Sequence, residues 1–100
     1  MKTKKIERYK TAREFGHALG LSDIDMALIR QKKKLIEKLK EERIKKKISQ
    51  AKLAEEVGSK QPAIARMESG QVSEVSMDFL LKIAFVLEVP VHIDPLEEAA

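Results

Sequence analysis

A chain of 100 residues has room for one small domain, whose single core leaves much of its surface wet. Hydrophobic residues make up 43% but aromatic ones only 4%, with no Trp, which predicts a helical core of Leu, Ile, Val, Ala and Met; the lack of Cys excludes a disulfide framework and a thiolate metal site. The net charge of +4 hides an uneven layout, because residues 1–66 hold 19 bases against nine acids, +10, whereas residues 67–100 hold one base against seven acids, −6, so one end should attract polyanions and the other repel them.

The opening "MKTKK" is basic but no apolar run follows it, and the longest apolar stretch, "FLLKIAFVLEVPV", is broken by Lys82 and Glu88. Neither a leader nor a membrane span is expected, and the chain reads as cytoplasmic. Residues 1–21 carry scattered apolar groups, Ile6, Tyr9, Phe15, Leu19 and Leu21, with Gly16 and Gly20 interrupting any helical period. A flexible N-terminal arm is expected there, with at most a turn of helix near Thr11 to Phe15.

The main domain, residues 22–95, opens at "SDID", where Ser22 can cap a helix and Asp25 can complete a capping box. Ile24, Leu28, Leu35, Leu39 and Ile44 recur at helical spacings, with Lys32 falling where the stripe should continue. The pattern fits either one long helix over residues 23–47 or a short helix joined to a longer one near Gln31. In "ISQAKLAEEVG", Ser49 is an N-cap, Ile48 before it can staple onto Leu53, and Gly58 can end the helix, whose inner face is Leu53, Ala54 and Val57. The next helix must begin almost at once, because Pro62 is tolerated only in a first turn; Ile64 and Met67 give it a narrow buried stripe, and Gly70 marks its end. Ser76 and Asp78 start a last helix with Met77, Leu80, Ile83, Ala84 and Leu87 inward, and Pro90 stops it. "VHID" has room for a short C-terminal strand, and residues 96–100 read as a frayed tail. The fold class is therefore all-α, a compact four- to five-helix bundle.

Two short helices joined by a tight glycine-containing turn are a helix-turn-helix signature. With Ile64 and Met67 inward, Lys60, Gln61, Ala65, Arg66 and Ser69 fall on the outer face of the second helix. Gln and Arg are the residue types that pair bidentately with adenine and guanine edges in the major groove, and small Ala63 and Ala65 permit close approach. Lys46 and Lys47, just before the first short helix, are placed to meet phosphate. Double-stranded DNA is thus the expected partner; the competing reading of "RQKKKLIEKLKEERIKKK" is the solvated faces of helices, and a purely structural or protein-interaction module is a further alternative. His17 and His92 with Asp94 are the acid-base or metal candidates, but they lie at opposite ends of the chain without ligand spacing, so neither an enzyme nor a cofactor is expected.

Residues 35–89, "LIEKLKEERIKKKISQAKLAEEVGSKQPAIARMESGQVSEVSMDFLLKIAFVLEV", resemble Cro/CI-type (XRE) helix-turn-helix domains, whose core typically reads "LSQxxLAxxxGVSQxxISRIExG". The resemblance implies that Gln50 contacts phosphate, that Lys60, Gln61 and Arg66 belong to a base-reading surface, and that Arg43 pairs with Glu68 to lock the scaffold. The chain departs from that pattern at Ser59 and at Lys60, which stands where Ser or Thr usually caps, so either Lys60 or Gln61 takes the cap position. Phe79 and Phe85 stand where such domains are usually polar, and the helix through which many of them dimerise is missing after Val89. A homodimer built on Phe79, Phe85, Val91 and Ile93 is expected instead.

The extension "KTAREFGHALGLSDIDMALI" leading into this motif resembles the antitoxins of HigA-type toxin-antitoxin modules. That implies a dimer that represses its own operon and also sequesters a RelE-like ribonuclease toxin, with Ile6, Tyr9 and Phe15 as anchors of an arm that folds on its partner. The alternative is a stand-alone phage- or plasmid-type repressor without a toxin partner. The arm's six bases against two acids suit DNA phosphate or a minor groove better than a basic toxin.

Overall fold

The computed structural model describes residues 11–92, which form five α-helices and one 3-10 turn, with no strand among the described residues. Helix α1 (Ala12–Ala18) begins on Thr11, whose hydroxyl accepts from the Glu14 amide at 3.1 Å, and ends before Gly20 turns the chain at φ +87°. This is a full helix rather than the isolated turn expected of an arm, and the cause is its contact with α2 (Asp23–Lys45). Gly16 is buried against Met26, and a Cβ there would lie 2.0 Å from the Met26 sulfur, so the missing side chain admits the neighbouring helix. Arg13 adds two 2.8 Å hydrogen bonds to Asp23, and His17 Nε2 lies 3.0 Å from the same carboxylate. The Arg13 bonds hold the Asp23 carboxyl at about 2, so this attachment is complete above the ordinary Asp range and is lost only as pH falls through about 2.

Helix α2 is continuous over 23 residues, started by a complete Ser22–Asp25 capping box. Its inner face matches the expected stripe only at Leu39, fully buried, and at Leu35, which packs partly buried against the core. Ile24, Leu28 and Ile44 are exposed, whereas Met26, Ala27, Gln31, Ile36 and Leu39 are buried. The buried side changes along the helix: Met26 meets α1, while Ile36 and Leu39 enter the main core, and Lys32 falls between the two. A lysine there breaks neither contact, so the helix has no reason to stop.

Helix α3 (Gln50–Val57) is capped by Ser49, which accepts from the Lys52 amide at 3.0 Å, and ends at Gly58 in the left-handed region at φ +75°. Helix α4 (Gln61–Glu68) follows immediately. Lys60 takes the N-cap position in extended backbone without a side-chain bond, so Gln61 is the first helical residue and Pro62 the second. A 3-10 turn, Val72–Glu74, leads to α5 (Met77–Leu87), whose cap Ser76 accepts from the Phe79 amide at 3.1 Å. The core lies where the C-terminal half of α2 meets α3, α4 and α5: Leu39, Leu53, Ile64, Met67, Leu80, Ile83 and Leu87 are fully buried. Val91 and His92 continue without regular structure, and the rest of the expected strand, from Ile93, lies outside the described residues.

Because Ser49 caps α3 and is itself exposed, its cap can be tested cleanly. Ser49→Ala is expected to lower stability by about 1 kcal/mol and the melting temperature by roughly 4 to 8 °C, with Ser49→Asp restoring most of the loss. Thermal unfolding followed by circular dichroism measures both.

Candidate nucleic-acid interface

The surface of α4 is set by a chain of hydrogen bonds that starts inside the protein. Arg43, near the end of α2, donates from Nε to Glu68 Oε2 at 2.7 Å and from Nη2 to Glu68 Oε1 at 3.0 Å, while its Nη1 donates to the Ile48 carbonyl at 2.6 Å. The two side chains keep only 12% and 3% of their exposure. Burial pushes the Glu68 carboxyl up, but hydrogen bonds from Arg43 and Gln50, with the charges of Arg43 and Lys40, outweigh it and leave the group below its ordinary range. Gln50, the first residue of α3, donates to Glu68 Oε1 at 2.9 Å and accepts from Gln61 Nε2 at 2.6 Å. The network therefore runs from the last turn of α2 to the first turn of α4, where it engages the Gln61 amide. Gln61 is exposed, and its Oε1 and second N–H make no bond within the described residues, which leaves available the donor and acceptor pair that an adenine edge requires.

Further along α4, Arg66 is exposed and its side chain makes no bond within the described residues, while its neighbours Met67 and Ile64 are fully buried. The guanidinium is thus carried on a helix whose rotation is fixed by its core side. Lys60 is exposed at the entry of the same helix, and Ala65 is half-buried beside Arg66. Ser69 turns back, its Oγ donating to the Arg66 carbonyl at 2.8 Å, and closes the end of α4 rather than reaching outward.

Lys46 and Lys47 are adjacent in sequence but do different things. Lys46 donates to the Leu87 carbonyl at 2.8 Å, which satisfies the C-terminal end of α5, and lies 3.8 Å from Glu42. Lys47 has its backbone in the left-handed region, φ +59°, and its side chain is exposed with no partner within the described residues. The exposed, unengaged charge of this turn is therefore Lys47, with Lys46 tying the turn to α5. Nothing in residue type separated the two; only the reversal of the chain at Lys47 does.

The remaining predicted residues fall elsewhere. Phe15 is half-exposed on α1, and Ile6 and Tyr9 lie outside the described residues. Phe79 packs partly buried against the protein's own core, whereas Phe85 stands 85% exposed beside a shallow groove that Val91 helps to line; Ile93 lies outside the described residues. His17 is engaged with Asp23, and no group of three or more metal-ligating side chains occurs among the described residues. None of the described helices is long and apolar enough to cross a membrane. The bond between Gln50 and Gln61 and the Lys46 cap had no counterpart in the sequence reading. The first had a faint signal, two glutamines each at the start of a helix in a tight pair, but spacing does not show that the two helix starts meet.

Compared with known families, residues 39–93 match a helix-turn-helix family model. The match takes in Arg43, Gln50, Gln61, Arg66 and Glu68, and leaves α1 and the first two thirds of α2 outside it. No curated protein and no solved structure matches the chain.

Proposed function

The chain belongs to the helix-turn-helix family of the Cro/CI (XRE) type, and from that premise we propose that it is the antitoxin of a toxin-antitoxin pair: a dimer that represses its own operon and neutralises a RelE-like ribonuclease toxin. Sequence-specific DNA binding is the part that family membership carries directly. The observation behind the DNA surface is the arrangement of α4, with Gln61 oriented through Gln50 and Arg66 projecting from a helix buried on its other side. Gln61 and Arg66 read base edges, Lys47 meets phosphate, and Lys60 stands at the entry where it reaches either.

The antitoxin role is supported by what lies outside the matched segment. Helix α1 and the first half of α2 form a unit with its own contacts, Gly16 on Met26 and Arg13 on Asp23, and it leaves Phe15, Leu19, Ile24 and Leu28 at least partly in water. DNA reading does not use these apolar groups, and a toxin surface would cover them. Deleting residues 1–20 is expected to abolish rescue of growth from a co-expressed RelE-like toxin while leaving duplex binding within about a factor of three, an allowance of roughly 0.6 kcal/mol. Helical content of the truncated protein, checked by circular dichroism, guards against simple unfolding. Should the truncated chain still rescue growth, the toxin site lies on the helical body; should the full chain rescue growth from no such toxin yet bind duplex, the protein is a stand-alone repressor of the phage or plasmid type.

A further inference from the structure

Phe85 is an anomaly on α5: a phenylalanine with 85% of its surface in water, next to an apolar groove lined by Leu81, Ala84, Val89, Pro90 and Val91 with Glu88 at its rim. The groove exists because Glu88 takes the left-handed conformation at φ +59° and folds Val89 to Val91 back beside the end of the helix. Glycine adopts that conformation without cost, whereas Glu88 brings a carboxylate to the rim.

We propose that this face is a two-fold interface with a second copy of the chain, the two α5 helices lying antiparallel across a dyad at Phe85 with each ring seated in the partner's groove. The inference rests on the reading of the protein as a dimeric DNA binder and names how its copies meet. The register carries it. In an isologous antiparallel pair, residues equally far before and after the dyad oppose each other, and each contact occurs twice. About residue 85, Lys82 on the helix, three residues before the dyad, opposes Glu88 at its cap, three residues after it, base on acid. A parallel pairing would set Lys82 on Lys82 and Glu88 on Glu88.

The charges are free to be used this way. Lys82 is the one base in residues 67–100, yet neither it nor Glu88 makes an ion pair or side-chain hydrogen bond within the described residues, and both are exposed. A lone lysine placed three residues before an exposed phenylalanine, with a glutamate three residues after it, is what a self-complementary surface requires. The interface also communicates with the DNA side, because Lys46 holds the Leu87 carbonyl at the end of this helix and immediately precedes Lys47. Seating α5 on its twin fixes both phosphate-facing turns relative to the dyad.

Sedimentation of the full chain without DNA tests the interface. The wild type should be a dimer at micromolar concentration, and Phe85→Ser should be a monomer with unchanged helicity. Lys82→Glu and Glu88→Lys each turn two attractive contacts into two repulsive ones and should each weaken self-association at least about tenfold. Mixed in equal amounts, the two charge variants should associate with each other, since in the mixed pair both contacts are again base on acid. A monomeric wild type, a Phe85→Ser dimer, or a mixture that associates no better than its components would overturn the proposal. Since association is read without DNA, a rescued mixture alongside a wild type that binds no duplex would leave the interface standing and remove the DNA reading instead.

Discussion

Glu68→Ala is expected to lower folding stability by about 3 to 5 kcal/mol, a large share of what a domain of this size possesses. The substitution leaves the Arg43 guanidinium with 12% side-chain exposure and without two of its three acceptors, and it also removes the acceptor of the Gln50 amide. A buried cation without its counter-charge is the dominant cost, so Arg43→Met combined with Glu68→Leu should recover much of the loss even though the pair is gone. Urea unfolding of the two single variants and the double one measures this; a single-variant loss below about 1 kcal/mol would mean that the pair is effectively solvated. The same carboxylate predicts a pH dependence. Its folded value lies below the ordinary Glu range, so its contribution is complete above that range and is lost as pH falls through the folded value. Below about pH 4 the wild type should therefore lose stability more steeply than Glu68→Gln, which has no proton to gain there.

Those parts of the fold that depend on local chemistry were legible in the sequence. Ser49, Gly58, Pro62 and Ser76 each start or stop a helix through bonds or backbone preferences within a few residues, and α3, α4 and α5 lie where these residues put them. Parts that depend on two segments meeting were not. Gly16 reads as a helix breaker in isolation, and its value appears only when Met26 of another helix comes against it. The face of α2 was misjudged for a related reason: a single period was sought over 23 residues, while the helix serves two partners on different sides and exposes Ile24 at 80%. In the interface, the residue types on the outer side of α4 follow from the burial of Ile64 and Met67, but the bond that orients Gln61 needed α3 and α4 to be placed in space.

The division of work among the bases yields the last expectation, since phosphate contacts add affinity for any sequence whereas base-edge contacts discriminate between sequences. Arg66 is exposed between fully buried Ile64 and Met67, one turn beyond the entry of α4, so the same helix rotation that buries its neighbours aims it outward. Arg66→Ala should weaken binding to the operator by about 1 to 3 kcal/mol and relax preference at one base pair in each half-site, with little effect on a scrambled duplex. Lys47→Ala should weaken both duplexes alike and reduce the salt dependence by roughly one counterion per copy. Lys46→Ala should act on stability instead, because its ammonium holds the end of α5 through the Leu87 carbonyl. Operator and scrambled-duplex affinities across a salt series, with a thermal melt for each variant, separate the three roles. Equal weakening of both duplexes by Arg66→Ala would show that α4 anchors the protein to DNA without reading it.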